Sequence, residues 1–203
     1  MEALRLGFLA SHGGTNMQAI LDAVREGRLQ AELALVISNN SEAQALERAR
    51  RAGVPWRHLS SATHPDPEAL DQAILGALRE HGVNLVVLAG YMKRLGPQTL
   101  AGFPNRILNI HPALLPKFGG TGMYGIHVHE AVLAAGETKT GVTIHLVDPD
   151  YDHGPILAQH EVDVERGDTP DSLQARVLKV EHQLYSETLQ RIATGEIDLD
   201  RVS

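Results

Sequence analysis

Short apolar runs of strand length alternate with amphipathic stretches through the first half of the chain. Residues 4–10 and 32–38 are predicted as strands, and helical spacing of apolar positions follows each of them, from Met17 and over residues 43–52. The run LVVLA at residues 85–89 is the clearest buried strand, because a strand covered on both faces is apolar throughout. This alternation predicts an α/β fold: a doubly wound, mainly parallel sheet with helices on both faces.

The same signals place the remaining elements. The chain of 203 residues, 43% of them hydrophobic, is long enough for one sizeable domain or a domain with a small extension. Further strands are predicted at 56–59, 107–111, 140–147 and 155–164, and further helices at 67–81, 127–135 and 170–194.

Composition excludes several classes of protein. The formal net charge is -7 and no block of basic residues occurs, which argues against a nucleic-acid-coating surface. The absence of cysteine excludes disulfides, thiolate catalysis and cysteine-based zinc sites. The apolar runs are far shorter than the roughly 20 residues that a membrane span needs. Since the amino terminus lacks the long apolar core of a signal peptide, we expect a soluble cytoplasmic protein that binds neither nucleic acid nor membrane.

The stretch ILNIHPALLP at residues 107–116 is the strongest candidate for chemistry. Asn109 and His111 project from the same face of the predicted strand, because side chains alternate along it. Pro112 ends the strand directly after the histidine. A hydrogen-bond donor beside an acid–base group suits acyl-type chemistry. The alternative is a strand that merely ends in a capped histidine.

The segment SHGGTN at residues 11–16 joins the first strand to the first helix. A glycine turn that leads into a helix amino terminus offers unpaired N–H groups and a favourable dipole to an anion, and Thr15 and Asn16 add side-chain donors. The segment is neither a Walker loop nor a clean GxGxxG motif. The alternative is an ordinary turn in which Thr15 or Asn16 is the N-cap.

Two later loops are predicted to lie near the proposed catalytic strand. Four glycines within residues 119–125 predict a mobile lid beside the proposed catalytic strand. The turn at residues 148–155 holds three carboxylates, of which Asp150 is the most typical of a solvated turn. A carboxylate from this turn beside His111 would fix the tautomer of the ring and stabilise its imidazolium form.

Histidines and acids elsewhere give weaker signals. His127 and His129 alternate rather than follow helical i,i+4 spacing, and no third ligand is evident, so no metal site is expected. Glu181 and His182 are predicted as surface groups unless the last helix packs over the glycine loop.

These pieces together resemble the phosphoribosylglycinamide formyltransferases (GAR transformylases) of the formyltransferase superfamily. The similarity covers nearly the whole chain, and NIHPALLP and DHGPI are its most specific pieces, while the glycine loop indicates the glycinamide ribonucleotide branch. The matching segments are LASHGGTNMQAI, VISNN, LERARRAGVP, LVVLAGYMKRL, ILNIHPALLPKF, GVTIHLVDPDYDHGPILAQ and VEH.

The resemblance implies a single Rossmann-like formyltransferase domain over residues 1–203. Its amino-terminal half would bind the ribonucleotide, and its carboxyl-terminal half would bind folate and carry catalysis. The reaction would transfer the formyl group of 10-formyltetrahydrofolate, a co-substrate, to the amine of glycinamide ribonucleotide in purine biosynthesis, without a metal. A monomer or homodimer is expected.

The resemblance also assigns residues to roles. Asn109 would bind the formyl oxygen, His111 would stabilise the oxyanion and transfer protons, Asp152 would pair with His111, and His145 would support them. The substrate phosphate and ribonucleotide would contact Gly14, Thr15, Asn16 and Glu181. The folate would contact Met92, Lys93, Arg94, Leu95, Asn109, Asp148, Pro149, Asp150, Tyr151 and Asp152.

The sequence departs from the family pattern at several positions. His12 stands where the usual loop, SGNGSN or SGNGTN, has its first glycine. Lys93 and Arg94 replace a single arginine, an arginine expected near Pro67 is absent, and residues 119–124 form a longer segment than the compact family version.

Other functions remain open from the sequence. A formyltetrahydrofolate hydrolase shares the asparagine, histidine and aspartate that correspond to Asn109, His111 and Asp152. Alternatively, a formyltransferase could use another amine, such as a nucleotide-linked amino sugar or methionyl-tRNA. We expect a preceding regulatory domain in the hydrolase and a basic carboxyl-terminal domain in the tRNA enzyme. A non-catalytic folate or nucleotide binder is the alternative of another class. A dinucleotide-binding protein is disfavoured because VISNN offers no acid after the second strand.

Overall fold

The computed structural model of the chain describes residues 2–150 and 153–202. Its elements follow the predicted alternation of strands and helices through the first half of the chain, as their bounds show. They are β1 (Leu4–Leu9), α1 (Thr15–Arg25), β2 (Ala31–Ser38), α2 (Gln44–Ala52), β3 (Trp56–His58), α3 (Pro67–Glu80), β4 (Leu85–Leu88), α4 (Pro97–Gly102), β5 (Ile107–His111), α5 (Ile126–Ala134), β6 (Lys139–Leu146), β7 (Ile156–Asp163) and α6 (Pro170–Ala193).

The strands form one sheet in the order β3-β2-β1-β4-β5-β6-β7. Strands β1 to β5 pair in parallel, whereas β6 pairs antiparallel with both β5 and β7. From β1 the chain adds β2 and β3 on one side of the sheet and then crosses to add β4 to β7 on the other side. This change of direction at β1 is the arrangement of a doubly wound sheet. The predicted mainly parallel, doubly wound fold is therefore confirmed.

Helices cover both faces of the sheet. One core cluster joins the sheet to apolar side chains of α1, α2, α5 and α6, including Met17, Leu46, Val132 and Leu189. The second cluster joins the opposite face to α3, including Ile74 and Leu78, and to residues around α4. Beyond α3 and α4, this second face is where β5 and β6 carry the polar side chains of Asn109, His111, Thr143 and His145.

Helix α6 is held at its start and in its middle by polar contacts. Thr169 and Ser172 form a capping box, and Arg176 forms a 2.7 Å ion pair with Asp168, whose side chain is almost completely buried. The hydroxyl of the fully buried Tyr185 donates to the Leu88 carbonyl at 2.9 Å and lies 3.2 Å from the Leu108 carbonyl. These contacts attach α6 to the carboxyl end of β4 and to β5.

The six-residue helix α4 was not anticipated from the sequence. The buried Asp71 on α3 accepts hydrogen bonds from the backbone N–H of Gln98 at 2.7 Å and of Thr99 at 3.0 Å, and so caps this helix from a distant position. Gly96 approaches Asp71 so closely that a Cβ there would lie 2.3 Å from its carboxyl carbon. A short helix stabilised by a side chain from another helix gives little local signal.

Within the residues that the structure describes, no helix is long and apolar enough to span a membrane.

Candidate active site

Asn109 and His111 lie on the sheet face opposite to the core under α5 and α6. Leu108 and Ile110 pack into the core under those helices, so the alternating Asn109 and His111 point to the opposite face. On β6 the same alternation places His145 beside Asn109 and Thr143 beside His111 in the antiparallel register. The predicted strand, its polar face and the neighbouring histidine are therefore brought together.

The side chain of Asn109 is oriented by His145. Nδ1 of His145 lies 3.1 Å from the Leu146 carbonyl, which can only accept, so this ring nitrogen carries a proton. In the neutral ring Nε2 then accepts from Nδ2 of Asn109 at 3.3 Å. Because His145 is completely buried, its ring holds the half-buried amide of Asn109 in one orientation. Within residues 2–150 and 153–202, the second Nδ2 proton has no acceptor and can serve a ligand.

His111 is buried and donates from Nε2 to the Phe118 carbonyl at 2.7 Å. This contact selects the ring nitrogen that carries a proton and leaves Nδ1 for another partner. The family resemblance implies that Asp152 pairs with His111, without assigning a ring nitrogen to that contact. Asp152 and Tyr151 lie outside the described residues, so their proposed roles stay predictions.

Thr143 fixes the chain that follows His111. Its hydroxyl donates to the Ala113 carbonyl at 2.7 Å and accepts from the Leu115 N–H at 3.1 Å. Gln159 adds to this arrangement, because its Nε2 donates to Thr143 Oγ1 and to the Leu115 carbonyl at 3.0 Å each. Sequence reasoning missed Thr143, although its position two residues before His145 on a strand places both on one face.

The interpretation of His127 and His129 as metal ligands gains no support. His127 is exposed and lies 3.4 Å from Glu130, while His129 is buried on α5. Burial lowers the pKa of His129, and the proximity of His111 lowers it further. Among the described residues, no three histidine, aspartate or glutamate side chains are grouped to hold a metal ion.

The glycine loop forms the amino terminus of α1. Gly14 is the N-cap in a left-handed conformation at φ 69°, and a Cβ there would lie 2.8 Å from the Cβ of Ala45, so this position requires glycine. The alternative that Thr15 or Asn16 is the N-cap is therefore wrong. The first intrahelical bond runs from Gln18 N–H to the Gly14 carbonyl, which leaves the N–H groups of residues 15–17 for an anion.

Ser11 joins the glycine loop to the segment after β4. Its hydroxyl donates to Asn39 Oδ1 at 2.6 Å and accepts from the Met92 N–H at 2.8 Å. Ser11 N–H also donates to the Gly90 carbonyl at 3.1 Å. Two segments predicted to bind different substrates are thus held against each other.

Glu181 is buried, because α6 packs against α1 at the glycine loop. The sequence predicts a surface position for Glu181 only if α6 does not pack there. Nδ2 of Asn16 lies 3.4 Å from Oε1 of Glu181, and burial raises the pKa of Glu181 to about 7 despite this hydrogen bond. Asn16 Oδ1 is buried without a partner in the described part of the chain. Burial also lowers the pKa of the neighbouring His182. The predicted pair Asn16 and Glu181 is therefore assembled beside the glycine loop.

The pKa of Glu181 predicts a pH-dependent gain of stability when its charge is removed. At pH 8 the Glu181→Gln variant should exceed the unaltered protein in free energy of unfolding by about 1–3 kcal/mol, since a buried carboxylate is costly. Because the folded pKa of Glu181 is raised, this residue's contribution to stability is largest below its ordinary pKa of 4.5 and is lost as the pH rises towards 7. Urea denaturation from pH 5 to pH 8 measures the difference.

Glu187→Gln, an exposed change on the same helix, is the control. A difference between Glu181→Gln and the unaltered protein that stays constant or grows towards pH 5 would contradict the assignment.

The segments proposed for folate are partly exposed on the same sheet face. Met92, Lys93 and Arg94 are exposed, whereas Leu95 is buried in the core cluster that Val147 also contacts. Asp148 is half-buried, and Pro149 and Asp150 are exposed. The two segments thus lie on the face that presents Asn109, and direct contact of each residue with folate remains a prediction.

Known proteins resemble this chain over nearly its whole length. The sequence profile of the formyl transferase family matches residues 4–189. The chain is 35% identical over 191 residues to the phosphoribosylglycinamide formyltransferase of Escherichia coli (strain K12), covering 94% of the chain and 88% of that protein. It is 41% identical to the chloroplastic enzyme of that name from Arabidopsis thaliana over 95% of the chain, and spans 66% of that relative's length.

A solved structure shares both sequence and fold. The crystal structure of glycinamide ribonucleotide transformylase 1 from Symbiobacterium toebii is 45% identical and superposes with a TM-score of 0.89. The match covers 95% of this chain and 89% of that one.

Proposed function

Because this chain belongs to the formyl transferase family, we propose that it transfers the formyl group of 10-formyltetrahydrofolate to the amine of glycinamide ribonucleotide. The oriented amide of Asn109, on the same sheet face as His111, is the observation that carries the proposal. The names of the similar proteins from Escherichia coli and Symbiobacterium toebii support the acceptor. The reaction contributes to purine biosynthesis. A cytoplasmic location and a monomer or homodimer remain predictions.

The chemistry needs a donor for a developing negative charge. The substrate amine attacks the formyl carbon, and the formyl oxygen becomes an oxyanion. In our proposal the second Nδ2 proton of Asn109 and the imidazolium of His111 stabilise this oxygen, since preorganised donors act most strongly where charge appears. His111 then donates its proton from Nδ1 to N10 of the folate, the bond between N10 and the formyl carbon breaks as the oxyanion returns to a carbonyl, and tetrahydrofolate leaves. The proton that the amine loses returns to His111 with the help of Asp152 and bound water. His145 supports the reaction by orienting Asn109.

The two substrates would meet at the catalytic pair from neighbouring binding segments. The phosphate would lie on the N–H groups at Gly14, Thr15 and Asn16, and Glu181 would contact the glycinamide portion. The folate would lie along residues 92–95 and 148–152. The contact between Ser11 and Met92 supports this arrangement, because it places the two proposed binding segments side by side.

Folate absorbance during incubation with 10-formyltetrahydrofolate tests the proposal directly. Deformylation that requires glycinamide ribonucleotide would establish both the transfer and its acceptor. Deformylation without the ribonucleotide would instead identify a hydrolase. Absence of reaction in both incubations would overturn this acceptor and direct the search to nucleotide-linked amino sugars.

Asp152→Asn is expected to lower kcat by about 10- to 100-fold, part of what acid–base catalysis contributes. The amide keeps the size of the side chain but removes the charge that would hold His111 protonated, so KM for both substrates should change little. Steady-state kinetics measure both quantities. Asp163→Asn, an exposed change on β7 outside the proposed site, is the control. Near-normal turnover of Asp152→Asn would exclude the proposed role.

A further inference from the structure

Three successive carbonyl groups of the glycine loop accept hydrogen bonds from α2 and the turn before it. Nδ2 of Asn40 lies 3.4 Å from the Ser11 carbonyl, and the Ala45 N–H donates to the His12 carbonyl at 3.0 Å. Nε of Arg48 donates to the Gly13 carbonyl at 2.8 Å. The loop is therefore bound on one side along its whole length.

These bonds determine where the N–H groups of the loop point. In a trans peptide the carbonyl and the following N–H point in opposite directions. Because the carbonyls of Ser11, His12 and Gly13 face α2, the N–H groups of His12, Gly13 and Gly14 face away from it. Successive N–H groups on one side of a turn form a concave anion site, which here continues into the free N–H groups of α1.

Arg48 is the charged member of this set. Its side chain is half-buried, and its Nη1 lies 3.5 Å from Gln18 Oε1. Arg50 and Arg51 on the same helix pair with Glu47, whereas Arg48 has no carboxylate within ion-pair distance in the described ranges. Its positive charge thus remains available beside the loop.

A second feature of the loop independently indicates a ligand. Asn16 is only 8% exposed, and its Oδ1 has no partner within residues 2–150 and 153–202. A buried amide oxygen without a donor costs free energy unless a ligand supplies one. A hydroxyl of a sugar phosphate would satisfy it.

We propose that Arg48 is a positioning residue for recognition of the substrate phosphate. Its hydrogen bond holds the Gly13 carbonyl away from the ligand, so that the Gly14 N–H faces the phosphate, and its charge favours the dianion. The proposal rests on the proposed function for the identity of the ligand as a ribonucleotide. It does not require Arg48 to contact the formyl group or folate.

Arg48→Met removes the hydrogen bond and the charge while keeping a long side chain. We expect about tenfold weaker binding of ribose 5-phosphate, the loss typical of a charge-assisted hydrogen bond, measured by NMR titration without folate. KM for glycinamide ribonucleotide should rise by a similar factor, with kcat and the folate KM within about twofold. Arg50→Met, on the opposite face of α2, is the matched control and should behave as the unaltered protein.

Arg48→Lys tests the orientation of the loop separately, because lysine keeps the charge but not the planar fork. Ribose 5-phosphate should slow hydrogen exchange of the Gly14 amide in the unaltered protein and do so less in Arg48→Lys. Equal protection in both proteins would overturn the positioning role.

Three outcomes distinguish failure of the proposed role of Arg48 from failure of the proposed formyl transfer. Unchanged ribose 5-phosphate affinity in Arg48→Met would overturn the role of Arg48. Equal losses of kcat and folate affinity, or failure of both variants to fold, would also overturn it by showing a general structural role. Arg48-dependent binding of ribose 5-phosphate by a protein that transfers no formyl group would support the phosphate site and overturn the proposed function instead.

Discussion

His111→Asn is expected to lower kcat by about 10²- to 10⁴-fold, the range that a positioned acid–base group contributes. Asparagine is too short to replace the Nε2 donor to the Phe118 carbonyl, but Thr143 still holds the chain after residue 111 at the Ala113 carbonyl and the Leu115 N–H. Asparagine cannot become a cation or transfer a proton near neutral pH. KM for both substrates should therefore change little, because the glycine loop and the folate segments are untouched.

Rapid-quench or steady-state kinetics with saturating substrates measure this loss. His160→Asn, an exposed histidine on β7, is the matched control and should retain full kcat. A His111→Asn variant with kcat within tenfold of the unaltered protein would exclude His111 as the acid–base group.

Asn109→Ala is expected to lower kcat by about 10²- to 10³-fold, as removal of one oxyanion donor does in other acyl transfers. The loss should fall on kcat more than on KM, since the donor acts on charge that develops during the reaction. His145 would lose its contact with Nδ2 but keep its bond to the Leu146 carbonyl, so the fold should persist. Kinetics and a thermal unfolding curve together separate the two effects.

The control for Asn109→Ala is Gln183→Ala, which removes an amide from the exposed face of α6. Loss of activity that parallels a fall in thermal stability in Asn109→Ala, or an effect confined to KM, would contradict the role as an oxyanion donor.

Apolar patterning was sufficient to predict the sheet because most of its strands are buried on both faces. Residues 85–89, for example, contain no polar side chain, and the observed β4 lies within that range. The helix α4 could not be predicted in the same way. Its N-terminal N–H groups are satisfied by Asp71, which lies 27 residues earlier than Gln98, and no local pattern encodes such a contact.

The polar face of β5 was predictable, but its surroundings were not. Alternation placed Asn109 and His111 together, whereas the Phe118 carbonyl and the network of Thr143 depend on how loops return to the strand. Glu181 was expected to be exposed unless α6 packed over the glycine loop, and amphipathic spacing alone does not say which neighbour a helix covers. Arg48 could not be singled out from the sequence, because LERARRAGVP indicates a helix with its stop signals and matches the family without showing which arginine faces the glycine loop.

The contact between Asn16 and Glu181 joins residues 165 positions apart. Closing so long a segment costs chain entropy before the contact can stabilise anything, and non-local contacts of this kind form late in folding. Strands β1 and β2 can pair early, while the ribonucleotide end of the site must wait until α6 docks. Newly made molecules would consequently acquire the parallel sheet before they acquire a complete substrate pocket, and recovery of activity after refolding would lag behind recovery of secondary structure.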